Sequence, residues 1–191
     1  MPSYIFVSPG SDPGVGRALV DPMLGSSKPS MGTCRPDLRR MVKPGDHIFV
    51  VSGSLGRTYK QYVIGGMQID EKLEDQLEAL RRLPQNALRF DGKNNAGNII
   101  ALPDGTQHPG DRHSNFESRI KNYVLGKNPV VLETPREVEL GRERSVDILS
   151  ALFDRQGSRI QQLMGRSRKL SDAQAERLRR ALEDLKREAR S

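Results

Sequence analysis

The chain has 191 residues, of which 35% are hydrophobic and 5% aromatic, and its formal net charge is +7 at pH 7. This length suits one domain with extensions, while 18 Gly and 12 Pro predict long loops around a modest core. The positive excess favours polyanionic partners. A single cysteine excludes a disulfide framework within the chain and a multi-cysteine zinc site. Because residues 1–10 lack the basic and apolar regions of a signal peptide or membrane anchor, we expect a cytoplasmic protein without a membrane partner.

The N-terminal part of the chain is predicted to form a short strand and then a long loop. The run from Tyr4 to Val7 predicts a first strand, which we expect inside a sheet. Prolines and glycines recur every few residues from Ser8 to Thr33, which predicts an irregular loop. The glycine-rich stretch from Gly10 to Arg17 lacks the Gly-Lys-Ser/Thr of a phosphate-binding P-loop. It therefore predicts a flexible loop rather than nucleotide hydrolysis.

A basic segment followed by a β-hairpin is predicted for the next part. Its elements, in chain order, are a short helix at 36–41, a Pro-Gly-Asp turn at 44–46, a strand at 47–52 and a second strand at 61–69. The first strand is rich in β-branched and aromatic residues, which indicates burial. The two strands form an antiparallel hairpin with a basic loop. Gly65 and Gly66 mark a β-bulge or a close backbone approach.

The remainder is predicted to combine helices with short strands. Helices are predicted at 71–83, at 114–126, at 143–164 with an interruption at Gly157, and from Ser171 towards the C-terminus. Short strands are predicted at 98–102 and 129–133. Two of the helices depend on capping boxes, formed by Ser114 with Glu117 and by Ser171 with Gln174. The last helix is amphipathic and suits a surface helix or a partner helix.

Candidate catalytic and metal-binding groups are few. Cys34 has arginines beside it, which would lower its thiol pKa, but no partner base is identifiable, so a structural and a catalytic role both remain open. His108, Asp111 and His113 surround a Pro-Gly turn, but their spacing is not that of a known closed metal site. Loop histidines beside Asp also serve as solvent-facing hydrogen-bonding groups. We predict no metal, no cofactor and no catalytic residue.

Three groups of basic residues suit contact with phosphate. The first group precedes the hairpin and comprises Arg35, Arg39, Arg40 and Lys43. The second lies in the hairpin loop at Arg57 and Lys60, and the third comprises Arg155, Arg159, Arg166, Arg168 and Lys169. Basic residues interleaved with Ser, Gly and Tyr59 suit phosphate contact combined with base stacking, as in the recognition of single-stranded or flipped nucleotides. For the third group a solvated helix end is an equal alternative.

Four short motifs resemble those of the second type of nucleotide-modification-associated domain. They are CRPxxRR at 34–40, GDHI at 45–48, SGS at 52–54 and YVIG at 62–65. This family is related to the wider PUA-like group of EVE, ASCH and YTH modules. The resemblance covers about residues 1–125, so the final helices lie outside it.

The resemblance implies an α+β protein built on a small, twisted, PUA-like mixed β-barrel with peripheral helices. We place this domain at 1–135 and a helical C-terminal extension at 136–191. The family occurs in bacteria and phages that modify DNA, so the implied function is binding of nucleic acid, DNA rather than RNA, or of a modified nucleotide, without turnover. Phosphates would contact arginines and the base would lie near two serines and a tyrosine; the residues are Arg35, Arg39, Arg40, Arg57, Ser52, Ser54 and Tyr59.

Several alternatives remain open. Many PUA-like proteins hold the base with Trp, and this chain has none, which leaves as stacking candidates Tyr59, Tyr62, Phe6, Phe49 and Phe90. An enzyme alternative uses Asp111 and His113 as acid, base or metal ligands in the same pocket, in a reaction that modifies a base or a nucleotide. A third alternative is an interaction subunit whose helix at 171–190 docks a protein partner or a second copy of the chain.

Overall fold

The computed structural model describes residues 2–191, which divide into two compact units. Unit 1 contains the N-terminal residues up to Leu19 together with Asp46–Gln68 and Asn128–Ser191. Unit 2 contains Val20–Gly45 and Ile69–Lys127. The predicted boundary at residue 135 therefore lies within the last segment of unit 1.

The eight strands are β1 (Ser3–Val7), β2 (Ser30–Met31), β3 (His47–Val51), β4 (Val63–Asp75), β5 (Arg89–Phe90), β6 (Asn95–Ala96), β7 (Lys121–Val131) and β8 (Ser167–Leu170). Six of them form a mixed sheet in the order β2-β7-β4-β3-β1-β8, while β5 and β6 form a separate hairpin. The predicted α+β class is thus confirmed. Across residues 2–191 the strand order has two free ends, so the predicted barrel closure is not observed.

The strands of unit 1 confirm the predicted first strand and hairpin. Strand β1 lies between β3, to which it is parallel, and β8, to which it is antiparallel. Strands β3 and β4 are antiparallel, and their register shifts between Val50 and Val51. An added Cβ on Gly65 would lie 2.3 Å from the Val130 carbonyl oxygen, and one on Gly66 would lie 2.4 Å from the Phe49 ring. These glycines therefore permit the close approach expected of them.

Three helices complete unit 1: α4 (Pro135–Phe153), α5 (Ile160–Met164) and α6 (Asp172–Arg190). The interruption predicted at Gly157 is confirmed, but α4 begins earlier than predicted because Thr134 and Glu137 form a capping box. Ser171 and Gln174 form the capping box that was predicted for α6. The apolar side of α6 is buried, and α4 and α6 pack together.

Unit 2 contains three short helices: α1 (Pro36–Met41), α2 (Gln76–Arg82) and α3 (Phe116–Arg119). Its core includes a cluster of Leu73, Ala79, Leu83, Ile99, Tyr123 and Leu125. The prediction for α1 is confirmed. Helix α2 is shorter than predicted, because β4 continues to Asp75, whose side chain caps α2 by accepting hydrogen bonds from the amides of Leu77 and Glu78.

The predicted helix at 114–126 is wrong. Only α3 is helical, its N-cap is Asn115 with φ 58°, and no side-chain capping bond forms there. The chain then enters β7, where Val124 pairs with Met31 of β2. Tyr-Val-Leu at 123–125 suits a strand as well as a helix, and this non-local pairing decides between them. Residues 98–102 form isolated bridges rather than the predicted strand, and the strand predicted at 129–133 is the end of β7.

Candidate functional site

A cavity of about 620 Å³ in unit 1 lies beside the end of the sheet where the parallel strands β1 and β3 stop. The segment that follows β3 contributes one wall, and residues of α4, of the turn before α5 and of the start of α5 contribute the other. The lining includes Ser54, Arg57, Tyr59, Lys60, Arg142 and Arg159. In open sheets with parallel strands, ligands commonly bind beside the carboxyl ends of the strands.

The charges around this cavity are mainly positive. Its lining includes four basic residues, and the acidic residues there are Glu143 and Asp147. Among the described residues, Arg57, Lys60 and Arg159 form no ion pair, whereas Arg142 is paired with a buried carboxylate. The three cations without an ion pair outnumber the two acidic residues of the lining, so the net positive charge favours an anionic ligand.

Arg142 is fixed in the cavity wall by contacts on several sides. Its Nη2 donates to Asp12 Oδ1 at 2.7 Å, and its Nη1 donates to the Lys60 carbonyl oxygen. Its guanidinium also lies 5.4 Å from the ring centroid of Tyr59 and 4.8 Å from that of Tyr62. Such cation–π contacts hold the Tyr59 ring against the wall. We therefore assign Arg142 to positioning rather than to contact with the ligand's charge.

The glycine-rich segment is ordered around Asp12, although a flexible loop was predicted. The Asp12 amide donates to the Arg17 carbonyl at 2.8 Å, and the Arg17 amide donates back at 3.0 Å. Gly14 allows the approach to Arg142, since an added Cβ would lie 2.7 Å from that guanidinium. Asp12 is 1% exposed, and its Oδ1 is the acceptor for Arg142. Sequence reasoning missed this pair because its members are 130 residues apart and no local motif links them.

The three predicted residues Ser54, Arg57 and Tyr59 lie together in the lining of this cavity. Tyr59 is 45% exposed, which leaves ring surface free for stacking. Ser52 does not join them, because its side chain is buried and its hydroxyl accepts a hydrogen bond from the Tyr62 amide at 3.0 Å. The Ser52 hydroxyl holds the hairpin, and its proximity to a base stays a prediction that this burial does not favour.

The predicted arginines of the first basic group lie in unit 2, and Arg39 is not a surface cation. It is 0% exposed, and burial lowers the pKa of its guanidinium. That guanidinium donates to five backbone carbonyl oxygens, those of Thr33, Cys34, Arg119, Lys121 and Asn122. The phosphate-contact prediction for Arg39 stays a prediction that this burial does not favour. Arg35 is paired with Asp37 at 2.7 Å, and Arg40 is exposed.

Cys34 belongs to a buried polar network rather than to a reactive site. Its amide donates to Asp21, which also accepts from the amides of Gly32 and Thr33 at 2.9 Å each and from Asn98 Nδ2 at 3.0 Å. Burial, with the nearby Asp21 charge, raises the pKa of the Cys34 thiol to about 12. The thiolate is therefore scarce at neutral pH, which favours the structural role of the two left open.

Asp111 and His113 form a pair in unit 2. His113 Nδ1 lies 2.5 Å from Asp111 Oδ1, and Gln107 Nε2 donates to Asp111 Oδ2 at 2.7 Å. His108 accepts a hydrogen bond from the Gly110 amide instead of facing this pair. Within residues 2–191 no group of three or more His, Cys, Asp or Glu side chains is placed to hold a metal ion.

The other stacking candidates divide by burial. Phe6, Phe49 and Tyr62 have at most 2% exposure, so none of the three presents a ring face to a ligand. Phe90 is 68% exposed, but it belongs to the β5–β6 hairpin of unit 2 and does not line the cavity of unit 1. Tyr59 is therefore the aromatic residue that the cavity offers for stacking.

Comparison of the chain with protein-family models, with curated proteins and with solved structures gives no match. The resemblance to nucleotide-modification-associated domains therefore depends on the four sequence motifs and stays a prediction. No helix among residues 2–191 is long and apolar enough to cross a membrane.

Proposed function

We propose that the cavity of unit 1 binds one nucleotide of a nucleic acid and releases it unchanged. Arg57, Lys60 and Arg159 would neutralise phosphate, Tyr59 would stack on the base, and Ser54 would contact the base edge. The observation that carries this proposal is the convergence of unpaired cations and one exposed aromatic ring in a single cavity. Together with the sequence motifs, it supports a PUA-like module that reads a flipped or modified base in DNA.

The ion pairing of the other basic residues in unit 1 supports this assignment. Several arginines of α6 are paired with acids one turn away, as in Arg179 with Glu176 at 2.8 Å and Arg180 with Glu176 at 2.7 Å. Arg57, Lys60 and Arg159, which line the cavity with Tyr59, have no such partner among the described residues. Cations close to one another repel, and an anionic ligand would relieve that repulsion.

The recognition step follows from the geometry of the wall. Arg142 and Asp12 hold the Tyr59 ring in place before a ligand arrives, so little side-chain entropy is lost on stacking. Stacking of a base on an aromatic ring contributes about 1–3 kcal/mol and tolerates any base. Discrimination between bases would then come from polar groups at the rim, such as the Ser54 hydroxyl.

Replacement of Tyr59 tests the proposed function. We expect Tyr59→Ala to weaken binding of a single-stranded DNA oligonucleotide by about 5- to 150-fold, as loss of one stacking contact predicts. Tyr59→Phe keeps the ring and should retain most of the affinity. Fluorescence anisotropy at fixed salt measures both, and Phe90→Ala is the matched control for loss of an exposed ring outside the cavity. Equal affinity of Tyr59→Ala and the wild type would refute the proposed stacking.

Asp111 and His113 support an acid–base reaction as a second candidate function. The Asp111 side chain is 3% exposed and orients the more exposed imidazole of His113, as a carboxylate orients a catalytic histidine. The two residues lie in unit 2, so the idea that they share the unit 1 cavity is not supported. This candidate requires turnover of a nucleotide or oligonucleotide that His113→Ala abolishes, and identical product formation by the variant would eliminate it.

Burial weighs against the interaction-subunit alternative. The apolar side of α6 consists of Ala175, Leu178, Leu182 and Leu185, all buried within unit 1. A partner or a second copy that docked on those residues would first have to displace α6 from the unit. We therefore place the principal binding surface at the cavity rather than on α6.

A further inference from the structure

We propose that the ligand is a strand of several nucleotides, which continues from the cavity onto a basic edge formed by Arg155, Arg166 and Lys169. This inference rests on the proposed function and adds to it the length of the ligand. A mononucleotide would contact only the cavity, whereas a longer strand would also contact these three cations. The two ligand classes make different predictions for the same variants.

The position of the basic edge connects it to the cavity. Arg155 precedes the cavity-lining residues 158–161, which lead into α5, and Arg166 follows α5 after the C-cap residue Gly165. The Arg166 carbonyl accepts a hydrogen bond from the Val7 amide at 2.9 Å, where β1 ends. This is the end of the sheet beside which the cavity lies. Lys169 is in β8, opposite Tyr4 of β1, so the cations continue along the edge strand.

The three cations of the basic edge are exposed, unlike the neighbouring Arg168. Arg155, Arg166 and Lys169 are exposed and form no ion pair within the described part of the chain. Arg168 lies between them in sequence but is engaged: its guanidinium stacks 4.5 Å from the Phe153 ring centroid and donates to the Leu163 carbonyl at 3.0 Å. Arg168 is therefore occupied by packing contacts, whereas the three cations of the basic edge remain available to phosphate.

A purely protective role is the competing explanation for the charge on β8. Edge strands often carry lysine to prevent pairing with another chain. That role requires charge on the strand but no affinity for a polyanion, and it does not involve Arg155, which lies outside β8. If a nucleic-acid strand binds there, each cation that contacts a phosphate should steepen the slope of log K against log salt by about 0.7.

A length series with matched variants tests the proposal. The ligands are a deoxymononucleotide and single-stranded DNA of 4 and 12 nucleotides, measured by anisotropy or by competition at several salt concentrations. The variant Arg166→Gln/Lys169→Gln removes two cations of the edge. The control Arg179→Gln/Arg180→Gln removes two that are paired within α6. A cooperative thermal unfolding transition is the control that each variant is folded.

We expect the wild type to bind the 12-mer more tightly than the mononucleotide by about tenfold or more, because each added phosphate contact increases the affinity. The edge variant should lower the 12-mer salt slope by about 1.4, twice the contribution of one phosphate contact, and leave mononucleotide affinity unchanged. Equal affinity for mononucleotide and 12-mer, or an unchanged slope in the edge variant, would overturn the inference and leave the proposed function intact. No binding of any of these ligands by the wild type would overturn the proposed function as well.

Discussion

Burial decides what each arginine of this protein does. Arg39 has its guanidinium surrounded by carbonyl oxygens, Arg142 has a buried carboxylate, and Arg57 has neither among the described residues. In the sequence all three are basic residues next to polar segments, and nothing local distinguishes them. The sequence therefore indicated a basic protein but could not separate the arginine that holds unit 2 together from those that line the cavity.

Replacement of Arg39 should destabilise the protein far more than replacement of its neighbour. Arg39→Ala removes a donor from five buried or partly buried carbonyl oxygens, of which the Thr33 oxygen keeps a second donor in Arg119. The loss should lower the free energy of unfolding by about 3 kcal/mol or more. Arg40→Ala removes an exposed side chain of the same type and should cost less than about 0.5 kcal/mol. Urea unfolding followed by circular dichroism measures the difference. Similar values for the two variants would contradict the structural role of Arg39.

Among the elements, capping boxes show where local sequence signals suffice and where they fail. Ser171 and Ser114 both precede an acidic or amide residue by three positions, and the sequence predicts a helix after each. After Ser171 the helix α6 can bury a continuous row of leucines within its own unit. After Ser114 the residues at 123–125 enter β7 instead, because a pairing strand about 90 residues earlier satisfies their backbone groups. Tertiary pairing of that kind has no local signature.

Removal of the two serine hydroxyls should therefore have unequal effects. Ser171→Ala should lower the free energy of unfolding by about 1 kcal/mol, because its hydroxyl accepts from the Gln174 amide at 3.2 Å. Ser114→Ala should have no measurable effect, because α3 has Asn115 as its N-cap and no side-chain capping bond. The comparison is made from the urea midpoints of the two variants and the wild type, provided that their unfolding curves have equal dependence on denaturant. A loss at Ser114 as large as that at Ser171 would show that the predicted capping box forms after all.

At the scale of the whole molecule, local reasoning predicted the pieces better than their assembly. The β3–β4 hairpin, α1 and α6 follow from composition and turn residues close in sequence. The division into two units, the open sheet and the Asp12–Arg142 pair depend on contacts between distant residues. The sequence accordingly predicted three residues of one cavity wall, Ser54, Arg57 and Tyr59, but none of the residues that α4 contributes to the other wall.

Stability should fall in alkaline solution. The pKa values of Cys34, Tyr62 and Tyr123 are all raised to about 12, chiefly because burial disfavours their anions. Each folded-state pKa exceeds the ordinary pKa of 9.0 for Cys or 10.0 for Tyr, so the neutral forms stabilise the fold below those ordinary values. That stabilisation is lost as the pH rises towards 12.

Urea midpoints at pH 8, 9, 10 and 11 test this dependence. We expect little change up to pH 9 and a progressive decrease above it. Cys34→Ala should remove the part of the decrease that begins near 9.0, the ordinary pKa of the thiol. A midpoint that is constant, or that increases, from pH 9 to 11 would contradict the burial of these groups.

Hydrogen exchange with and without ligand tests the central claim most directly, because it reports where on the chain a nucleic acid binds. The wild-type protein would be labelled in D2O alone and with a saturating single-stranded DNA 12-mer, and the peptides compared by mass spectrometry. We predict slower exchange in the cavity segments 54–61 and 158–161 and no change at 35–43. Protection confined to 35–43, or no protection at 54–61 despite saturation, would contradict the assignment of the binding site to the cavity of unit 1.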